Sequence, residues 1–170
     1  MSNGKILNGA LSAYTISSNV LNVLRNPSIL QIGFELNGLG VTGTRYSVVA
    51  DAIYEGKISC EVVHQFKLQP GETLEPGTSI AASYHPPGNT MYFPSESFGE
   101  VNAGEQAAIL HEATHAIFDL YAPTNEYRVL KIDDETAAVL AQAFYFRLCV
   151  RSGVGAETDF KSTRHGDLAL

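Results

Sequence analysis

The chain has 170 residues, of which 45% are hydrophobic and 17% are charged, and its formal net charge is −7. A chain of this length and composition is ordinary for one globular domain built around a single core. The acidic balance argues against nucleic acid as a partner.

Nothing in the sequence predicts membrane insertion, secretion or a disulfide framework. The most apolar run, residues 137–150, is shorter than a membrane span and contains Gln142 and Arg147. The N-terminus lacks the basic start, long apolar stretch and cleavage pattern of a secretory signal. Cys60 and Cys149 are too few for a disulfide framework. A cytoplasmic protein with reduced thiols is therefore expected by default, with export by another route left open.

The first hundred residues predict an α+β arrangement. Apolar residues recur in steps of three and four over residues 11–24, which favours a helix, and residues 46–54 favour a second one. Glycines between 38 and 43 indicate a loop. Three strands are predicted over residues 58–68, 79–85 and 90–93, with a hairpin-like turn between the last two.

Residues 103–121 predict a long helix. The segment is rich in alanine, and apolar residues recur at helical spacing from Leu110 to Leu120. Glu105 falls in the first turn, where a carboxylate complements the helix dipole. Pro123 stands just past the end and cannot continue the helix.

This helix contains the pattern H-E-x-x-H at His111, Glu112 and His115. Histidines four residues apart project from one face of a helix, where they can hold one zinc ion. The glutamate between them can act as general base on zinc-activated water. Because so short a pattern also occurs by chance, the alternative is a buried helix whose histidines satisfy local hydrogen bonds.

A third zinc ligand must come from elsewhere in the chain. In one class of zinc enzymes the motif continues to a glycine and a third histidine, as H-E-x-x-H-x-x-G-x-x-H. This class is excluded, since Phe118 stands at the glycine position and Tyr121 at the histidine position. A second helix is predicted over residues 133–151, and a short loop lets it fold back antiparallel to the first. Glu135 then lies near the level of the histidines, with Asp134 as the alternative ligand. Asp133 fits the N-cap position.

The run from His111 to Asp119 resembles the active-site helix of thermolysin-type metallopeptidases, the zincins with a glutamate ligand called gluzincins. Thr114 and Ala116 belong to the likeness, which covers about residues 100–150. It implies zinc held by His111, His115 and Glu135, with Glu112 as base. It also implies that an exposed strand, just before the helix in the sequence, pairs with extended substrate. Residues 91–93 occupy that position in the sequence. The alternative is that they form an ordinary buried or edge strand.

The chain departs from the thermolysin pattern at two positions close to the predicted ligand Glu135 in the sequence. Val139 replaces an aspartate that orients a histidine, and Asp134 replaces an asparagine. The partners of the histidines are therefore unassigned. Asp119 either supports the site or is a solvated residue at the helix end. Candidates for stabilising the oxyanion are Tyr92, Tyr121, Tyr127, Tyr145 and His165.

The charge is distributed unevenly. Residues 69–127 contain eight carboxylates and no lysine or arginine, so this stretch contributes −8 and the rest of the chain +1. The H-E-x-x-H motif lies inside the stretch. A negative local field favours a divalent cation and a cationic substrate, although scattered carboxylates are also ordinary solvated surface.

The sequence thus predicts a single zincin-like domain over residues 1–170, with an N-terminal helical segment (1–30) and a loose tail (155–170). Its α+β fold would pack a small, mostly antiparallel sheet on the motif helix and a second ligand-bearing helix. The expected activity is peptide-bond hydrolysis with one Zn²⁺ per chain, on a peptide or protein substrate. One alternative is a zinc-binding regulatory module without turnover. The other is a deformylase-like amide hydrolase, although the residues around Cys60 do not match the motif that carries the cysteine ligand of that class.

Overall fold

The computed structural model describes residues 3–63, 82–121 and 130–151. Helices and strands both occur in these ranges, which confirms the predicted α+β class. The elements are α1 (Asn3–Leu24), β1 (Gly33–Leu36), β2 (Leu39–Thr42), α2 (Gly43–Tyr54), β3 (Ser59–Val62), β4 (Ser83–His85), β5 (Thr90–Phe93), α3 (Ala103–Tyr121) and α4 (Lys131–Arg151).

The motif helix α3 has the predicted bounds, and α2 and α4 begin two to three residues earlier than predicted. Asn102 explains where α3 starts, because its side chain accepts a hydrogen bond from the Glu105 amide at 3.0 Å and so caps the first turn. Asp133 is not the N-cap predicted for α4, since that helix already begins at Lys131. The tail, the α3–α4 connection and the far ends of two predicted strands lie outside the described residues.

The glycine-rich segment was predicted as a loop, and this is wrong. β1 and β2 form an antiparallel hairpin in which Gly33 pairs with Thr42 and Leu36 with Leu39. Asn37 and Gly38 make its two-residue turn with φ of 51° and 82°. Left-handed residues at both central positions give the twist that joins two strands tightly, and asparagine followed by glycine adopts them readily.

The other sheet has the order β3-β5-β4, with β3 parallel and β4 antiparallel to β5. β5 is therefore paired on both sides, and its Met91 and Phe93 side chains are fully buried. Of the two alternatives for residues 91–93, the ordinary strand is therefore confirmed, and the exposed substrate-pairing strand is wrong. In the described part of this sheet, β4 is an edge strand, and it contacts α3.

α3 runs through the core and contacts all three other helices as well as β4. Its residues from Ala107 to Leu110 are buried, as are those from Ala116 to Phe118. Tyr46 of α2 is fully buried, and its hydroxyl lies 2.8 Å from the Thr114 hydroxyl, which donates to the Leu110 carbonyl. The bond between Tyr46 and Thr114 joins α2 to α3, on the face of α3 that packs against α2.

α4 packs against α3, and the buried residues in its first half are small. Ala137, Ala138 and Ala141 are fully buried, whereas the larger Leu140 and Phe144 are 37% and 41% exposed. None of the described helices is long and apolar enough to cross a membrane.

Gly43, the first residue of α2, provides a test of the packing. A Cβ atom here would lie 2.4 Å from the Leu30 Cα and 2.8 Å from the Ile29 carbonyl oxygen. Gly43→Ala should lower the free energy of unfolding by about 1–3 kcal/mol, because backbone atoms must move. Gly33→Ala is the control, since nothing lies within 4 Å of its added Cβ, and should change stability by less than about 0.5 kcal/mol. Urea unfolding followed by circular dichroism measures both; equal losses would contradict this packing.

The two thiols provide a second test. Cys60 is 3% exposed and Cys149 is 7% exposed. Burial raises the pKa of Cys60 to about 12, although a hydrogen bond with Ser17 opposes the shift, and burial also raises the pKa of Cys149. At about pH 8 both should therefore remain thiols and resist iodoacetamide, which reacts with thiolates. Mass spectrometry should show alkylation only after unfolding in guanidinium chloride, and rapid labelling of native Cys60 would be inconsistent with this structure.

Candidate metal centre

The two motif histidines lie side by side on α3. Their ring centroids are 5.0 Å apart and the rings meet edge to face at 76°. The four-residue spacing places them one helical turn apart on a single face. Both side chains are mostly buried, at 16% and 14% exposure.

α4 brings a carboxylate to this pair. Glu135 Oε2 lies 3.6 Å from His111 Nε2 and 3.9 Å from His115 Nε2. The hydroxyl of Tyr145, three turns further along α4, donates to Gln106 near the start of α3 at 2.5 Å. The two helices are therefore antiparallel, as predicted, and this direction places the beginning of α4 beside the middle of α3.

The donor atoms of His111, His115 and Glu135 fit one small divalent cation. One ligand atom from each side chain lies within 4.8 Å of the other two. Tetrahedral zinc with bonds of about 2.0–2.1 Å holds its ligand atoms about 3.3 Å apart, so a contraction of at most about 1.5 Å would close the site. Two imidazoles and one carboxylate form an accepted zinc ligand set. Among the described residues, these three are the group that could hold a metal.

Asp134 has a role that the sequence left unassigned. Its Oδ1 lies 2.7 Å from His115 Nδ1, so it orients the ring from the side opposite to Glu135. Asp134, which the sequence offered as the alternative third ligand, is therefore not one of the three donors His111, His115 and Glu135 that lie close together. Burial lowers the pKa of His115, but the Asp134 hydrogen bond and the surrounding carboxylates outweigh burial and raise it. The partner expected at position 139 comes instead from the residue preceding Glu135.

Glu112 lies beside the converging donors but is not one of them. Its side chain is buried, and its Oε2 accepts a hydrogen bond of 2.7 Å from the backbone amide of Tyr84 in β4. Burial raises the pKa of Glu112 above its usual range; the two histidines and the Tyr84 hydrogen bond lower it. His111 interacts with Glu135 and lowers the pKa of that carboxyl.

Asp119 contacts the strand β4. It accepts a 2.8 Å hydrogen bond from the hydroxyl of Tyr84. Burial, followed by the Asp119 carboxylate, raises the pKa of Tyr84, so its phenol remains a donor at neutral pH. The sequence predicted no role for Tyr84, because no local pattern links a tyrosine in a three-residue strand to Glu112, 28 residues further along the chain.

The described candidates for oxyanion stabilisation lie on three different elements. Tyr145 donates to Gln106, and Tyr121 lies under the guanidinium of Arg45, 4.6 Å from the ring centroid. Tyr92 belongs to the central strand β5. Tyr127 and His165 lie outside the described residues. The expectation therefore stays open.

Comparison of the chain with protein-family models, with curated proteins and with solved structures gave no match.

The converging donors predict which substitutions remove a metal. His111→Ala and Glu135→Ala should each abolish stoichiometric zinc binding, because each deletes a ligand atom. Asp134→Ala should weaken affinity by about 10- to 100-fold, since it removes the hydrogen bond that orients His115. Asp133→Ala is the matched control: this neighbouring carboxylate accepts from Asn37 at 3.0 Å instead.

Competition with a fluorescent zinc chelator, supported by elemental analysis, measures all four affinities. If Asp134→Ala lost zinc completely while Glu135→Ala kept it, the third ligand would be Asp134, and the assignment of Glu135 would be wrong.

Proposed function

We propose that the protein is a zinc metallopeptidase of the gluzincin type, with one Zn²⁺ held by His111, His115 and Glu135. The observation that carries the proposal is the approach of two imidazole nitrogens to one carboxylate oxygen at 3.6 and 3.9 Å, beside a separate buried carboxylate. Metal storage or structural stabilisation would need only the ligands. Hydrolysis also needs a proton acceptor, and the buried Glu112 beside the ligands supports that role.

A zinc ion bound here would polarise a substrate carbonyl and lower the pKa of a water molecule. The protein residues have the remaining tasks. Glu112 accepts the proton of the attacking water and passes it to the leaving amine. The Tyr84 amide holds one of its oxygens, which leaves the other oxygen for the proton. The Asp134 hydrogen bond fixes Nδ1 of His115 and leaves Nε2 facing Glu135.

The edge of β4 supports the choice of a peptide as substrate. An edge strand presents backbone amide and carbonyl groups with which an extended peptide can pair. In the described part of the sheet, β4 is such a strand. The amide of its Tyr84 is already bonded to Glu112, so a peptide would pair with the other backbone groups of this edge. Three carboxylates, those of Glu112, Asp134 and Glu135, surround the two histidines, and this negative charge favours peptides with basic side chains near the cleaved bond.

The deformylase-like alternative is not supported by the position of the cysteines. Such a hydrolase uses a cysteine ligand with the two histidines. Cys60 lies in β3, and neither it nor Cys149 is in the group of converging donors found among the described residues. The zinc module without turnover remains the competing proposal, and one substitution separates it from the peptidase.

Glu112→Gln should keep the fold and the zinc but abolish hydrolysis. The amide is nearly isosteric, and its oxygen can still accept from the Tyr84 amide, but it cannot accept a proton at neutral pH. Labelled casein and a panel of basic peptides serve as substrates, with chelator-treated wild type as the blank. The loss should be at least about 100-fold, the usual contribution of a positioned general base.

Two outcomes would contradict the peptidase. Zinc-loaded wild type that cleaves nothing in the panel would favour the module without turnover. Cleavage that persists undiminished in Glu112→Gln, purified free of contaminating protease, would show that Glu112 is not the base.

A further inference from the structure

Tyr84 is joined to α3 at two points. Its backbone amide donates to Glu112 Oε2 at 2.7 Å, and its hydroxyl donates to Asp119 Oδ2 at 2.8 Å. Glu112 and Asp119 are seven residues apart, which is two turns and about 10 Å along one face of a helix. A single residue of β4 thus spans two turns of α3, with the proposed general base at one end.

The Asp119 end of this bridge includes a third residue. Asn89 lies just beyond the turn that follows β4, in the left-handed conformation with φ of 45°. With its amide nitrogen directed at the pair, Asn89 donates to the Tyr84 oxygen and to Asp119 Oδ2, both at 3.1 Å. Tyr84 itself is only 8% exposed. The phenol ring is therefore held by packing and by hydrogen bonds to two other side chains.

Fixing the ring of Tyr84 also fixes the direction of its peptide group. The amide then points at Glu112, a carboxylate 8% exposed and surrounded by the histidines and Glu135. A general base is efficient only when its oxygen is held within hydrogen-bonding reach of the proton it accepts, and a displacement of about 1 Å can cost a large factor in rate.

We infer that Tyr84 is a positioning residue for Glu112, and that Asp119 and Asn89 act on the reaction through Tyr84. The role of Asp119 is thus distinct from supporting a zinc ligand and from simple solvation at a helix end. The inference rests on the proposed peptidase function, but the hydrogen bond at its centre can be measured independently of activity.

Tyr46 provides a matched control. Its hydroxyl also bonds to α3, at the same distance of 2.8 Å, but through Thr114 and on the face that packs against α2. Tyr46→Phe and Tyr84→Phe each remove one phenol hydroxyl from a bond to the same helix. If Tyr84 serves stability alone, the two substitutions should affect the reaction alike.

The first experiment measures amide hydrogen exchange at residue 84 by NMR in the zinc-loaded protein. The wild-type amide should be protected, and Glu112→Ala should remove the protection because it removes the acceptor. Tyr84→Phe and Asp119→Ala should each reduce it by about 10-fold or more relative to globally protected core amides, the effect of about 1.4 kcal/mol on a local opening. Tyr46→Phe should leave this ratio unchanged.

The second experiment measures hydrolysis of labelled casein. Tyr84→Phe and Asp119→Ala should lower kcat by about 10-fold with KM and zinc affinity unchanged, since they disturb the base and not the ligands. The double variant should be no worse than either single one. Asp119→Asn keeps an accepting oxygen for the phenol and should retain most of kcat, whereas a role for the negative charge would make it as poor as Asp119→Ala.

The outcomes separate the two proposals. Unchanged protection of the residue 84 amide in Asp119→Ala, or equal kcat losses in Tyr46→Phe and Tyr84→Phe, would overturn the positioning role. A zinc-loaded wild type that hydrolyses nothing would overturn the peptidase, and the amide measurement alone would then decide whether Asp119 and Tyr84 hold Glu112.

Discussion

The candidate site depends on how closely α4 packs against α3. Glu135 reaches the histidines only because the N-terminal part of α4 lies beside the middle of α3. Both helices bury alanines, including Ala113 and Ala116 on α3 and Ala137 and Ala141 on α4. Since the distance between packed helices is set by the side chains at the contact, small residues allow the close approach that two imidazoles and a carboxylate need to share one ion.

The charges in the site favour a positive occupant. Glu112, Asp134 and Glu135 surround two imidazoles, and the carboxylates raise the pKa of His115 despite its burial. Protons and a divalent cation therefore compete for the same environment, because a histidine must be neutral to bind a metal. A metal bound there would also favour the carboxylate form of Glu112, which burial disfavours.

The strand β4 explains why a helical hairpin alone does not complete the site. Two packed helices supply the three donor atoms and the Asp134 hydrogen bond, whereas Glu112 also accepts a hydrogen bond from outside them. That contact comes from the backbone of Tyr84, and Tyr84 is placed by pairing with Met91 in β5 and by the hydroxyl contact with Asp119. The sheet therefore connects the proposed general base to the edge strand β4.

Local features could be predicted from the residues alone: the bounds of α3, the shared face of His111 and His115, and a second helix carrying a carboxylate near its start. Helix periodicity and the H-E-x-x-H spacing are short-range properties, which residues a few positions apart express directly. The bond between Asp134 and His115, the bond between Tyr84 and Glu112, and the position of β4 beside the site exist only in the folded chain. Each of these is a contact between segments 19 to 28 residues apart, and such contacts follow from chain packing, which no local pattern records.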